Sequence, residues 1–491
     1  MQTLKKYVWK FKVPLILLLV LIVAFPGLVT MQRSMFWDIT LHNLPWRYHI
    51  GESISNGELP LWLPWMNYGF PQMGHYETWY PVSWFVGGLF GYNLSVLQFE
   101  YLFHIYLAGL GFYLFSGLLK DLNWKVRMVG AIAYMLCGVF IAQASHYGYV
   151  VSGTWMPFVF YFLIRFCRNT KLENGLALVF FYFLLVTGGY VGNFIVITYI
   201  LIGIFVYQLY LRRKDRAQLL TLLKYTALLI PVFFAVYAVV FYSMLDIKNH
   251  ITRQALEYSN TGWGAQVGTW VKEGFITFFS PLANMQTEND FWGDAPMIND
   301  VYIGIFPVIF LIYYFFIGRS DPYYRQIIYL TVGSLFFFAI ALSTLLPLHK
   351  WLYHSLPLLD YFRFPSLYRI FGLFLLLLAG LRAIQYIITT VSVKKRLLFL
   401  STCIIALWLI AIPFLKSNLQ FRKIFLGWDK AVDLLDQNAL FLVDAIFMTV
   451  LLLILIAFNN SKKIGWVLLI LVTVDLTVHT WIRTPHYIVD P

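Results

Sequence analysis

The chain is a succession of apolar stretches, roughly thirteen of them near the length of a membrane crossing, separated by short loops in which positive charge recurs at every second turn. The stretches run at about 13–30, 92–118, 128–145, 150–166, 174–187, 191–210, 219–244, 300–318, 326–345, 367–390, 397–415, 441–458 and 464–482. Backbone polar groups in hydrocarbon must bond within their own segment, so spans of this kind form helices. This pattern predicts an all-α polytopic membrane protein with about thirteen transmembrane helices. With 60% hydrophobic and 12% charged residues, a water-soluble globule is excluded.

The basic residues set the orientation. Lys5, Lys6, Lys10 and Lys12 precede the first stretch. The alternate loops then hold Lys120, Lys125 and Arg127; Arg165, Arg168 and Lys171; Arg212, Arg213, Lys214 and Arg216; Arg319 and Arg325; Lys394, Lys395 and Arg396; Lys462 and Lys463. By the positive-inside rule these loops and the N-terminus are cytoplasmic, and an odd number of spans leaves the C-terminus extracytoplasmic. The net charge of +13 therefore reports topology, and no nucleic acid is expected as a partner. Cys137, Cys167 and Cys403 lie in or beside apolar stretches, which argues against a disulfide framework. No small-residue cleavage site follows the first stretch, so it reads as a retained signal anchor.

Four loops fall outside: residues 31–91, 246–299, 346–366 and 416–439. They hold most of the acids, including Glu257, Glu273, Glu288, Asp290, Asp294, Asp300, Asp360, Asp429, Asp433 and Asp436, so chemistry is expected on that face. The first of them is the candidate active-site loop. Asp38 follows a span by a few residues, and acids, histidines and tryptophans crowd the positions after it. Within it, Asn43 as a cap, Pro45 near the start and Gly57 at the stop bracket a short amphipathic interfacial helix. Trp46, Ile50 and Ile54 form its apolar stripe, beside polar Arg47, His49, Glu52 and Ser53. Pro60, Pro64, Gly69 and Pro71 then break the chain into turns. The second long loop is 246–299, and the chain is expected to form a single transmembrane domain over 1–491 with no C-terminal soluble domain.

An Asp just outside a first span, an interfacial helix, and then Gly57, Leu59, Pro60, Leu61, Trp62, Gly69, Pro71, Tyr80 and Pro81 resemble the YfhO-like family of bacterial membrane proteins, within the GT-C glycosyltransferase superfamily. His146 with Trp155 and Pro157, Tyr302 with Gly304 and Pro307, and Phe362, Arg363, Pro365 and Arg369 continue the likeness along the chain. The resemblance implies a GT-C-like fold in a bacterial cytoplasmic membrane. It also implies an inverting transfer of sugar from a polyprenyl-phosphate donor to an extracytoplasmic acceptor, whether glycan, lipid or protein.

Asp38 is the expected general base, taking the proton from an acceptor hydroxyl as it attacks the anomeric carbon; the ordinary alternative is a polar helix-end residue. His42, four residues on, would orient that carboxylate or simply sit at the interface. His75 and Glu77 are candidate ligands for acceptor hydroxyls. Asp38 with Glu77 is also compatible with a divalent cation, although no dense ligand spacing is present and no cofactor is predicted. Trp62 and Trp79 are expected to stack on sugar or cover lipid. Arg363 and Arg369 suit a forked grip on the donor phosphate, against ordinary snorkelling to headgroups. Glu100 and His104 share one face of a span, where ionisable groups are costly, so they line the lipid-head cavity, carry protons or lock two spans together. His146 faces the cavity or caps a helix. A transporter or lipid flippase for envelope precursors is the rival reading; the Gly188, Gly189 and Gly192 cluster and the Glu100–His104 pair fit it. A catalytically inactive scaffold is a third.

Overall fold

A computed structural model describes residues 2–36, 38–66, 68–247, 256–259, 269–270, 272–282, 296–411, 437–460 and 463–489. It is all-helical in its spanning parts, and each of the thirteen apolar stretches carries a helix among the described residues. Eight of these are long and apolar enough to cross a membrane by that measure alone, and shorter apolar helices accompany them. Most of the 246–299 loop and of the 416–439 loop, with Glu288, Asp290, Asp294, Asp429, Asp433 and Asp436, lies outside the described residues.

The chain divides into two compact units. One comprises Met1–Val29, Leu119–Gln143 and Leu256–Asp490; the other, Thr30–Leu118 and Ala144–Ala255, contains the candidate active-site loop. The helices used below, in chain order, are α1 (Gln2–Ala24), α2 (Leu44–Ser55), α3 (Pro81–Phe90), α4 (Leu94–Ser116), α5 (Trp124–Met135), α6 (Gly138–Ala142), α7 (Tyr147–Arg168), α8 (Leu172–Gly188), α9 (Val191–Arg212) and α10 (Arg216–Ile247). They continue with α11 (Ile305–Ile317), α12 (Tyr324–Ala341), α13 (Leu348–Ser355), α14 (Arg369–Thr390), α15 (Val393–Ala411), α16 (Gln437–Ala457) and α17 (Ile464–Tyr487).

In the loop-bearing unit α7 is the central element, packed against α4 and α8. Gly111 of α4 lets the two helix backbones close in: a Cβ there would lie 2.6 Å from the Phe158 ring of α7. α2 packs on α3 through a pair of glycines, a Cβ on Gly87 falling 2.8 Å from the Gly51 Cα. The far end of α2 stops as its sequence requires. Gly57 takes φ +74°, its N–H bonds the Ile54 carbonyl and the Glu58 N–H bonds the Ser53 carbonyl at 2.8 Å, closing the last turn.

Two local expectations are corrected. Asn43 does not cap α2: a π-helical turn, Ile39–Asn43, runs directly into the helix, and the Asn43 side chain makes no capping bond. Arg47 is not on a polar outer face but 1% exposed, beside buried Trp46 and Ile50. Periodicity identifies the apolar stripe; it does not reveal that acidic partners wait inside for the neighbouring arginine.

In the other unit, α14 packs against α11 and α12, and α5 packs against α17. The turn ahead of α14 is unusual, since Leu358 and Phe364 both take positive φ, 68° and 67°, on either side of Arg363. Such conformations cost a residue with a Cβ about 1–2 kcal/mol.

Candidate functional site

Asp38 sits immediately before the π-helical turn, with 35% of its side chain exposed. Its Oδ2 lies 3.6 Å from Nε2 of His146, whose side chain is 30% exposed. His146 is the residue before α7; its Nδ1 lies 3.2 Å from the Ser145 hydroxyl, and its ring stacks on Tyr149 with centroids 5.7 Å apart. Burial pushes the His146 imidazole below its ordinary range while Asp38 works in the opposite direction. The result is a half-exposed carboxyl–imidazole pair in which the imidazole is held toward its neutral form. His42 is exposed and outside ion-pair distance of Asp38, so the partner of that carboxyl comes from far along the sequence.

Behind this pair lies a buried ionic cluster. Arg47 Nη1 is 3.3 Å from Glu77 Oε2, and its Nε is 3.5 Å from Glu100 Oε1. The guanidinium lies over the Tyr147 ring at 4.4 Å. Burial opposes the Arg47 charge, but Glu100 and Glu77 outweigh it and hold the guanidinium protonated. Tyr92 and Tyr147 donate to the two Glu100 oxygens at 2.5 and 2.7 Å.

His104 extends the network. Its Nδ1 faces the Glu100 carbonyl oxygen at 2.7 Å, and its Nε2 faces the Tyr80 hydroxyl at 2.6 Å. Assigning the proton to Nδ1 lets Tyr80 donate to Nε2 while accepting from Trp155 Nε1 at 2.9 Å. Glu100 and His104 are 3% and 0% exposed. This arrangement is that of a lock between α4, α7 and the candidate active-site loop.

The loop itself is fastened by backbone acceptors. Gln72 is fully buried, its side-chain amide donating to the Trp46 carbonyl at 3.1 Å and its oxygen meeting His49 Nδ1 at 2.5 Å. Trp79 donates to the Met73 carbonyl at 2.9 Å, so it serves as a fastener of the turn. His75 is half-buried, with ring centroids 4.5 Å from both Trp46 and Tyr76, and burial lowers its basicity. Trp62 differs: it is 55% exposed and covers Gly69, where a Cβ would come within 2.4 Å of the indole.

Arg363 and Arg369 belong to the other unit. Arg363 is half-buried, its guanidinium 5.0 Å from the Phe364 ring centroid. Arg369 is 1% exposed and donates to the carbonyls of Ser366 at 2.7 Å and Asp300 at 3.2 Å, so it holds the turn before α14.

That unit also contains a buried network beyond the residues expected from the sequence. His479 of α17 lies between Asp475 Oδ1 at 2.9 Å and Asp444 Oδ1 of α16 at 3.0 Å. Tyr302 donates to Asp475 at 2.6 Å, Ser280 donates to Asp444 at 2.5 Å, and Arg483 pairs with Asp300. Both imidazole nitrogens face carboxylates, which calls for the doubly protonated ring. With it the imidazolium faces Asp444 and Asp475, and Arg483 faces Asp300. Acids and a histidine inside two apolar stretches were the available signal, the same one that singled out Glu100 and His104. Among the described residues no group of three or more His, Cys, Asp or Glu is arranged to hold a metal ion.

No family model and no curated protein matches the chain. Among solved structures, ArnT from Cupriavidus metallidurans bound to undecaprenyl phosphate is similar at 13% identity, over 98% of this chain and 78% of that one, with a TM-score of 0.42. A likeness of that degree is partial.

Proposed function

We propose that the chain is an inverting membrane glycosyltransferase that moves a sugar from a polyprenyl-phosphate-linked donor to an extracytoplasmic acceptor in a bacterial cytoplasmic membrane. The observation that carries this reading is the Asp38–His146 pair: a partly exposed carboxyl at the end of spanning helices, with an imidazole 3.6 Å away and a rigid buried cluster behind. The motif order from Asp38 to Arg369 is what narrows the chemistry to sugar transfer.

In the reaction, an acceptor hydroxyl attacks the anomeric carbon as the bond from that carbon to the lipid phosphate breaks. The hydroxyl proton passes to Asp38, and the phosphate leaves with the bonding electron pair. His146 orients the carboxyl. Trp62 covers the sugar. The acceptor is a glycan, a lipid or a protein. The transporter alternative drew on the Gly188, Gly189 and Gly192 cluster and on Glu100 and His104; the polar atoms of that pair are taken up by Tyr80, Tyr92 and Tyr147.

The test is Asp38→Asn in the full-length protein, assayed for sugar release from a polyprenyl-phosphate sugar. The expected outcome is an unchanged elution profile and thermal transition with transfer reduced at least ~100-fold. Undiminished transfer removes Asp38 as the base. A wild-type protein that copurifies with no polyprenyl-phosphate sugar and moves a solute across vesicles supports the transporter instead.

A further inference from the structure

The outer face of α2 lines a cleft of about 600 Å³ within the loop-bearing unit. Pro45, His49 and Ser53 form one row of its wall at i, i+4 spacing, and Tyr48, Glu52 and Asn56 form the next. The facing wall comes from the chain beyond the helix stop. The turn at Gly57 brings the Glu58 N–H to the Ser53 carbonyl at 2.8 Å, which sets the Glu58 carboxylate in the same cleft as that of Glu52. Trp65 completes the wall from a loop closed by Leu63 and Phe70, which exchange backbone bonds of 2.8 and 2.9 Å. The His49 ring meets the Trp65 indole edge-on with centroids 5.3 Å apart, and its Nδ1 is held by Gln72 Oε1 at 2.5 Å.

This face looks to water. The apolar stripe of α2 is spent inward, where Trp46, Ile50 and Ile54 pack with Leu63, Phe70 and Trp84. In the cleft Glu52, Asn56 and Glu58 are exposed, and Trp65 and Tyr48 remain 57% and 43% exposed. An indole that shares its cleft with two carboxylates faces solvent and not acyl chains.

The chemistry of the cleft is mixed in a particular way. Glu52 and Glu58 offer acceptors, and no ion pair or hydrogen bond engages either carboxylate among the described residues. The Trp65 indole N–H and the Asn56 amide offer donors. No lysine or arginine lines the cleft, so an anionic ligand meets two negative charges and no counter-charge. A hydroxyl both donates and accepts, so a polyhydroxylated ligand uses both sets at once, with the C–H face of a sugar ring against the indole.

We propose that this cleft binds an uncharged glycan and serves as the acceptor subsite of the sugar transfer. The role as acceptor subsite rests on the transfer reading above; occupancy of the cleft by glycan does not. Asp38 opens the same helical run, seven residues before Pro45 and fourteen before Glu52, which places the cleft about 10 to 20 Å from the base along the axis at 1.5 Å per residue. A glycan of several sugars seated in the cleft covers that distance and presents a terminal hydroxyl to the carboxylate.

The test uses full-length protein in phosphatidylcholine nanodiscs, free of sugar-headed detergent, and ligand-observed saturation-transfer NMR. The probes are maltohexaose, cellohexaose, chitohexaose, anionic tetragalacturonate and cationic tetralysine. At least one neutral oligosaccharide is expected to bind, with tetragalacturonate weaker by about tenfold or more. Trp65→Ala and Glu52→Gln/Glu58→Gln, all at exposed positions, are each expected to weaken the neutral ligand about tenfold or more. Failure of every neutral probe to bind the wild type overturns the site, and that result needs no variant. Undiminished binding in both variants also overturns it, since the sugar then sits elsewhere, and capture of tetralysine without any oligosaccharide makes the cleft a cation site and does the same. Asp38→Asn keeps the two readings apart. It is expected to bind the oligosaccharide as the wild type does, and a protein that binds glycan but transfers no sugar keeps the cleft while losing the transferase.

Discussion

Replacing Arg47 by methionine keeps most of the side-chain volume and removes the single cation between two buried carboxylates. In the native cluster one guanidinium, 1% exposed, serves Glu77 at 3.3 Å and Glu100 at 3.5 Å. Removing one partner of a buried pair leaves uncompensated charge and costs about 3–5 kcal/mol. At 1.4 kcal/mol per decade, loss felt wholly by the folded state speeds unfolding about 100- to 1,000-fold or more. The assay is the half-life of the monodisperse peak in detergent at a fixed challenge temperature, a quantity governed by the unfolding rate. The second arm is Arg47→Met/Glu100→Gln. Taking away one abandoned carboxylate should return part of the loss, and the cycle should show coupling of about 1–3 kcal/mol. A half-life within threefold of wild type (about 0.7 kcal/mol by the same conversion), or strictly additive single variants, would refute the claim that this cluster locks the loop to the helices.

Three further outcomes follow from the geometry. His349 on α13 has its Nδ1 2.7 Å from the Ser343 hydroxyl and 3.2 Å from that of Tyr258, and burial holds its basicity down to about 4. The folded state thus binds fewer protons than the unfolded chain between the ordinary imidazole value and about 4. The stability it contributes is complete above that window and lost as pH falls through it, by about 3 kcal/mol at most. His349→Asn should flatten this part of a melting-temperature profile against pH. Gly138→Ala should destabilise by about 1–3 kcal/mol, because a Cβ would fall 1.8 Å from Asp300 Oδ1 and displace the carboxylate from Arg483; an unshifted thermal transition would contradict this. His479→Gln leaves Asp444 and Asp475 facing each other without the imidazolium, and its yield of monodisperse protein should drop well below that of the neighbouring surface variant Trp481→Phe.

The spanning helices were legible because hydrocarbon imposes length and composition on them, so each apolar stretch maps to a helix. The Gly57 stop was legible for a similar reason: only the chain conformation is at stake. Glu100 and His104 could be paired from their spacing, and the structure adds the tyrosines that satisfy them. Arg47 was misplaced because its partners, Glu77 and Glu100, arrive from separate elements, and a helical wheel carries no information about what faces it. His146 stands beside Asp38 for the same reason, whereas the nearer His42 turned outward. Asp444, Asp475, His479 and Arg483 carried a readable signal, since ionisable groups in an apolar stretch demand a partner, yet the partners could only be identified once α16 and α17 were placed.

The charged interior of α17 bears on how the chain is made. At the middle of a helix an acidic residue opposes insertion by about 3 kcal/mol, and each large aliphatic residue recovers only about half of one. With Asp475 near its centre and His479 and Arg483 following, α17 is poorly suited to leave the insertion machinery alone. It should pass into lipid together with α16, whose Asp444 already faces His479, as a helical hairpin that brings its own counter-charge. Biogenesis of this protein would then hinge on two helices entering as one.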